Sequence, residues 1–433
     1  MAFNWHTINA QTFSMPDFWN VVVWQECLSR VAGENMAKEF STKVNGRAVT
    51  LRFERDEHEG RIARARAAMR AKGLSALLVF AQESHFYLTG YDTSGYVFFQ
   101  CGVLTAEDGP KILLTRRPDQ SQAEDTSLYD DIRIWLNAEN VNPADELRKI
   151  LEELGLKGER VGIELATYGL TGYNYERVRV AMDGFCTLVD ASEIVRELRV
   201  RKSPAELEYV RRAGQLADDA VWAMVEAARP GISDSLVTSA CIHAMLAGGG
   251  DMPSGDPMVN SGPRAVYGRG LGVPRMLEAQ DQIMLEHAAS FCRYTVVTER
   301  TVVLGKVPDR QRTMFKVATD TLYEIIDYAR PGHLIGELDD IHRRNLDAAG
   351  YEKYRFSACG YSLGTTFRPT WMDPPPMLYS GNRTPIETGM VLFCHVVIGD
   401  RDHGLTAATG LTFHVGEKGT EILSEIPMEL HVK

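Results

Sequence analysis

Cysteine is sparse in this sequence, and what there is lies scattered. The 433 residues carry seven, at 27, 101, 186, 241, 292, 359 and 394, with no CxxC pair. An odd number at such spacing argues against a disulfide framework and excludes a thiolate zinc site of the usual spacing. No apolar run reaches the ~18 residues a membrane helix needs. The N-terminus has no basic start leading into an apolar core, so no secretory signal is read there. Positive charge is short as well: 47 Lys plus Arg stand against 58 Asp plus Glu, a net charge of −11. With no basic stripe and no interleaved aromatics, neither nucleic acid nor an anionic membrane suits this chain as a partner. The expectation is a soluble, cytoplasmic protein.

What the chain does contain is material for real cores. Hydrophobic residues make up 44%, and the length suits two or three domains. Residues 1–54 read as an N-terminal extension rich in tryptophan (Trp5, Trp19, Trp24). It either packs on the body or a partner subunit, or precedes a start at Met36. From Arg55 a strand–helix alternation begins. A helix ends near Gly73, and residues 74–80 (LSALLVF) read as a buried strand. Residues 85–105 read as loop and strand, and strands follow at 111–115 and 161–165 around a helix near 144–155. A boundary near 198–203 separates a domain of residues 55–200 from one of residues 201–433.

The second domain echoes itself. Two helices end in Ala-Arg-Pro-Gly, at 228–231 and 329–332. Each tetrad is followed by a further helix and then by strand-like sequence (257–304 and 391–414). Pro blocks the helix, and Gly is expected as its left-handed C-cap. Two helix-pair-plus-sheet units in tandem predict an α+β domain of pseudo-twofold form. Its helices would cover one face of a curved antiparallel sheet, leaving the other face for ligand.

Within that sheet, residues 283–304 (IMLEHAASFCRYTVVTERTVVL) place charges inside two β-rich runs. Buried ionised groups need partners. One reading is structural: a Glu299–Arg300 pair exposed at a sheet edge, with Glu286 or Glu299 held by Arg293 or Arg300. The other is a polar pocket floor in which Glu286 and Glu299 clamp a cationic C–N compound. His395, after the buried run Val391–Cys394, is either a satisfied core histidine or a proton carrier.

The ordered series YLTGY (87–91), RVRKSPAELE (199–208), the two ARPG helices, TERTVVLG (298–305), CGYSLG (359–364), ETGMVLFCHV (387–396) and GLTAATGLTF (404–413) resembles a known family. It is similar to the pita-bread proteins, a group that includes methionine aminopeptidase, prolidase, aminopeptidase P and creatinase. The first half resembles the creatinase/prolidase N-terminal domain. The peptidases of this fold hold two metal ions with two Asp, one His and two Glu. Carried over, those five positions fall on Glu286, Val297, Tyr361, His395 and Ala408. Val297 and Ala408 have no ligating atom, so the resemblance implies no metal and no other cofactor.

Metal-free branches are closer. Creatinase shares the Glu299-Arg300-Thr301 tripeptide, and the aromatic segment 87–100 and the run 360–396 resemble ectoine hydrolase. Their catalytic His falls at Arg269 here, which is a departure. The resemblance implies a metal-independent hydrolase of a non-peptide C–N bond in a small nitrogenous substrate, with Glu286, Glu299 and His395 catalytic. Tyr361, Arg269, Arg368, Trp371, Tyr96 and Phe98 would bind substrate, with Asp373 in the same Pro-rich loop as Arg368 and Trp371. Asp400 and His403 are weaker candidates. The resemblance also implies a homodimer in which the partner's N-terminal domain covers the active site, the stretch 91–99 reaching across. A non-catalytic binding protein and a prolidase-like peptidase with an atypical metal site are the alternative readings.

Overall fold

The computed structural model describes residues 37–433. Trp5, Trp19, Trp24 and Cys27 lie outside the described residues. The last part of the expected extension is a hairpin built onto the body. Strands β1 (Phe40–Val44) and β2 (Arg47–Leu51) are joined by Asn45-Gly46, both at positive φ (49° and 85°). Asn-Gly suits this two-residue turn because both positions require the left-handed region. Arg47 Nη2 donates to Tyr129 O at 2.7 Å. Phe53, just after the hairpin, packs on Tyr209 and Tyr294 with ring centroids 5.0 and 5.7 Å away.

The N-terminal domain then runs α1 (Arg55–Ala71), β3 (Ala76–Val79), α2 (Gln82–Thr89), β4 (Cys101–Thr105), β5 (Ile112–Arg116), α3 (Gln120–Thr126), β6 (Asp131–Trp135), α4 (Pro143–Glu153), β7 (Arg160–Ile163), α5 (Gly172–Met182), β8 (Thr187–Asp190) and α6 (Glu193–Val200). Its mixed sheet has the order β6-β5-β4-β3-β7-β8. One expectation fails here, because residues 85–89 are helical rather than loop or strand. The cause is distant in sequence. The Glu164 carboxylate, at the end of β7, accepts the N–H groups of Phe80 (2.9 Å) and Ala81 (2.8 Å) and the Ser84 hydroxyl (2.6 Å). A carboxylate fixing the chain just ahead of a helix, and lying at the positive end of its dipole, favours the helix over the strand that Phe, Tyr and Thr prefer.

The second domain begins with α7 (Pro204–Ala227), capped by a Ser203/Glu206 box. There follow α8 (Asp234–Ala247), β9 (Met258–Ser261), β10 (Asp281–Phe291), β11 (Tyr294–Leu304), α9 (Asp309–Tyr328), α10 (Ile335–Ala348), β12 (Gly360–Ser362), β13 (Val391–Asp400), β14 (Leu405–Val415), β15 (Thr420–Ile422) and β16 (His431–Val432). The main sheet is antiparallel in the order β12-β13-β14-β11-β10-β9. The fold is the expected one: a curved sheet with helix pairs from two tandem units. Both tetrads make the same bridge. Gly231 N–H donates to Leu277 O and Gly332 N–H to Ile386 O, each at 2.9 Å. The C-caps themselves are Ala228 and Ala329. Pro stops each helix early, and the glycines (φ 83° and 94°) turn the chain afterwards rather than capping it.

Where the two domains meet, Arg61 is fully buried between the rings of Phe53 and Tyr87, each 4.3 Å from its guanidinium carbon. It pairs with Glu57 (3.2 Å) and Glu206 (3.5 Å), and Glu206 also accepts the Tyr294 hydroxyl at 2.6 Å. Removing one partner of a buried pair leaves the other charge uncompensated. Glu206→Ala is therefore expected to cost ~3–5 kcal/mol, read as a lower urea midpoint at unchanged slope.

Candidate active site

Strand register builds the site. In the β10–β11 hairpin Glu286 lies directly opposite Glu299, and Ala288 opposite Val297. Glu299 in turn pairs with Gly410 on β14, and Gly410 with His395 on β13. Cross-strand partners point to the same face, so Glu286, Glu299, Gly410 and His395 form one row across four strands. Tyr361 on β12 faces Phe393, two residues before His395, and joins the same face. The alternate residues point the other way. His287 Nε2 lies 3.0 Å from Ala217 O on α7. Arg300 reaches Gly410 O (2.9 Å), Ser424 Oγ (3.2 Å) and Ile426 O (3.4 Å).

This geometry overturns the structural reading of Glu299–Arg300. Both residues are buried, not at an exposed edge, and they point to opposite faces of the sheet. Arg293 does not serve the carboxylates either. Its guanidinium is held bidentately by Asp92, at 2.9 and 2.8 Å.

The β11–β14 seam joins the two pseudo-symmetric halves in an unusual way. Beside the Glu299–Gly410 pair, threonine hydroxyls take over the ladder. Thr301 Oγ1 donates to Ala408 O (2.9 Å) and accepts the Ala408 N–H (2.8 Å). Thr412 Oγ1 donates to Val297 O (2.7 Å) and accepts the Val297 N–H (3.0 Å). At Gly410 an added Cβ would lie 2.7 Å from Phe393 Cζ and 2.9 Å from Glu299 Cβ. The missing side chain is what lets the Phe393 ring and Glu299 share this space. Neither threonine bridge nor the Gly410 contact was foreseen, because no local pattern announces a pairing between distant strands.

Two carboxyls side by side in a buried sheet cannot both ionise cheaply. Burial, then the neighbouring Glu286 charge, pushes Glu299 well up. Its Oε2 has no hydrogen-bond partner among the described residues. Burial raises Glu286 to about 7, opposed by the Tyr361 hydroxyl at 3.4 Å from Oε1 and by Arg269. Tyr361 OH also accepts the Trp371 indole N–H at 2.7 Å. Burial and the neighbouring His342 and Arg269 lower His395 to about 4, so its imidazole is neutral at pH 7. His395 is only half-buried. Its ring stacks on Phe393 (5.6 Å, 21°), with Phe356 6.5 Å away on another side.

The remaining expected site residues are dispersed. Arg269 is exposed in a loop clasped by Asn260, whose Nδ2 donates to Arg269 O at 3.2 Å. Tyr267, Arg269, Leu271 and Arg401 line an open concavity of about 600 Å³ that no residue of the row lines. Trp371 is half-buried and its indole N–H is spent on Tyr361. Arg368 is exposed and paired with Asp256 at 3.0 Å. Tyr96 is buried within its own chain, donating to Arg368 O at 2.8 Å and packing on Phe367. Phe98 is outside the cluster, 48% exposed, with the Arg116 guanidinium 3.8 Å from its ring centroid. Asp373 is held by Arg199. Asp400 and His403 bind one another in the β13–β14 turn, at 2.9 Å.

The dinuclear ligand set does not fit these residues. Its second and fifth positions, Val297 and Ala408, are buried apolar side chains on the site face. Among the described residues no group of three or more His, Cys, Asp or Glu is arranged to hold a metal ion. Among the same residues no helix is long and apolar enough to cross a membrane.

A mixed-sheet domain followed by a pseudo-twofold curved sheet defines a two-domain pita-bread protein. Comparison with known proteins agrees. Residues 61–201 match the creatinase/prolidase N-terminal domain and residues 208–422 match metallopeptidase family M24, which places the chain in the pita-bread superfamily. Ectoine hydrolase of Halomonas elongata is 26% identical over 401 residues, covering 89% of this chain and 99% of that protein. A Xaa-Pro dipeptidase of Pyrococcus furiosus is 26% identical over 200 residues, covering 46% of this chain and 56% of its own. Among solved structures, a prolidase from Thermococcus sibiricus superposes with a TM-score of 0.78 at 20% identity, covering 87% of this chain and 99% of its own. A Xaa-Pro dipeptidase from Bacillus anthracis gives 0.75 at 21%, covering 87% and 100%.

The raised carboxyls have a consequence for stability. A carboxyl whose folded pKa lies above its unfolded value contributes stability below the unfolded value, and that contribution is lost as pH rises through the folded one. For Glu286 the loss runs from about 4.5 to about 7. Glu286→Gln is thus expected to be more stable than wild type at pH 8, by on the order of 2 kcal/mol. The gain should vanish near pH 5. Thermal melts of both proteins across this range check it.

Proposed function

We propose that the chain is a metal-independent hydrolase of a non-peptide C–N bond in a small nitrogenous compound. The observation that carries this reading is the buried Glu286–Glu299 pair, facing a site whose second and fifth ligand positions are Val297 and Ala408. The pair is built for proton traffic. Glu299, pushed well up by burial and by the Glu286 charge, suits the role of proton donor, whereas Glu286, at about 7, is a matched base. His395, at about 4, is a weaker base and acts as a neutral donor or acceptor toward substrate.

In the proposed reaction Glu286 takes a proton from water as its oxygen attacks the carbon of an amidine, amide or guanidino group. Glu299 gives its proton to the nitrogen as the C–N bond breaks. Water is thereby divided between carbon and nitrogen, and a proton returned from Glu286 to Glu299 restores the pair. Arg269, whose charge acts on both Glu286 and His395, suits a substrate carboxylate. The ectoine hydrolase likeness, which spans nearly the whole of that protein, supports the non-peptide reading. Hydrolysis of a Xaa-Pro peptide bond is the second reading, favoured by the dipeptidase relative.

A hydrolysis screen of cyclic amidines, guanidino acids, acylated diamines and Xaa-Pro dipeptides separates them. Turnover of a non-peptide substrate, unchanged by chelators and with under ~0.1 metal per chain, is expected. Metal-dependent dipeptide cleavage, or no turnover at all, would overturn the proposal. On the substrate found, Glu299→Gln should lower kcat by ~100-fold or more. The kcat/KM of wild type should rise with pH through about 7 as Glu286 ionises.

A further inference from the structure

The loop that carries Trp371 is clamped by the N-terminal domain at both ends. At its start, Phe367 packs on Phe86 and Tyr96 at 6.1 and 6.0 Å, and the Tyr96 hydroxyl donates to Arg368 O. At its end, the Arg199 guanidinium at the close of α6 grips the Asp373 carboxylate, with Nη2–Oδ1 2.8 Å and Nε–Oδ2 3.4 Å. The side chains of this pair are 5% and 7% exposed. Arg199 is itself anchored in the N-terminal domain. Its Nη1 donates to Ser84 Oγ (3.1 Å), and that hydroxyl donates to Glu164. Asp373 N–H donates to Ser362 O at 3.0 Å, so the end of the loop lies against β12, next to Tyr361.

Between the clamps, Trp371 presses on Gly255, where an added Cβ would meet the indole at 2.4 Å. Its N–H meets the Tyr361 oxygen. Indole N–H is a donor only. Tyr361 oxygen therefore accepts from Trp371, and its own hydrogen is left for Glu286 Oε1. That polarity favours the ionised form of Glu286 over its protonated form.

We infer that Arg199 and Asp373 are positioning residues for the carboxyl pair, acting from the domain junction through Trp371 and Tyr361 on Glu286. Docking of the N-terminal domain thus sets the direction of a hydrogen bond inside the other domain's site. The groups facing Glu286 are Glu299 on β11, Tyr361 on β12 and Arg269 in the loop after β9; those near Asp373 are Arg199, Lys202 and Glu83. Only the consequence for rate rests on the proposed function.

The test needs no substrate. Trp371 emission, taken as wild type minus W371F, is followed from pH 5 to 9 in the full chain. A transition that disappears in E286Q reports Glu286. In D373N and in R199M its midpoint is expected to rise by about one pH unit, as for a carboxylate losing a charge-polarised hydrogen bond. Y361F, read by the pH dependence of Tm, should show the same rise, and Y361F/D373N should add nothing further. A merely structural ion pair would lower Tm and leave both midpoints in place, and that result overturns the inference. Should the ion-pair variants not fold, W371F keeps the pair intact and must itself shift the pH dependence of Tm; no shift there is equally fatal. Shifted midpoints in a chain that hydrolyses nothing would sink the proposed function and leave this inference standing.

Discussion

Two carboxyl groups placed opposite each other in a buried sheet are the constraint on which the rest of the site depends. Desolvation and mutual repulsion disfavour charging both. The surroundings must decide which group keeps its proton. Arg300 opposes the rise of Glu299 only through its field, because strand alternation sends its guanidinium through the sheet to Gly410 O and Ser424. Tyr361 and Arg269 favour charge on Glu286, while one Glu299 oxygen has no hydrogen-bond partner among the described residues. The asymmetry gives two like residues different proton affinities.

The fold supports this by rigidity at the seam of its two halves. Glu299 stands where β11 meets β14, and threonine hydroxyls on each side replace direct backbone pairing. Gly410 opens the space that Glu299 and Phe393 share. The wall nearest Tyr361 comes from the 367–373 loop, clamped to the N-terminal domain by a buried ion pair and an aromatic contact. The N-terminal domain is thereby part of the same mechanical unit as the site, although none of its residues stands in the carboxyl row.

Much of this was legible before the structure. The two ARPG tetrads predicted the tandem halves, and residue alternation in 283–304 put Glu286 and Glu299 on adjacent strands. The substituted positions Val297 and Ala408 were readable once the family resemblance supplied the register. The rest was not legible, because it depends on contacts between distant segments. Helix α2 forms where its aromatic residues suggest strand, since Glu164 holds the two residues ahead of it and the Ser84 hydroxyl in its first turn. Trp371 looked like a substrate contact, but its N–H is committed to Tyr361. Tyr96 looked like an arm for a partner subunit, yet it is buried in its own chain.

The sequence by itself determined the layers, the tandem repeat and the chemistry at the ligand positions, because these follow from periodicity and from side-chain identity. Only the tertiary structure decided that Glu286 faces Glu299 across one register pair and that Arg300 turns away from both. It also decided that Arg199 reaches Asp373. Register and docking are set by many weak contacts acting at once over long separations. A buried carboxyl's proton affinity depends on those contacts far more than on the residue's own identity.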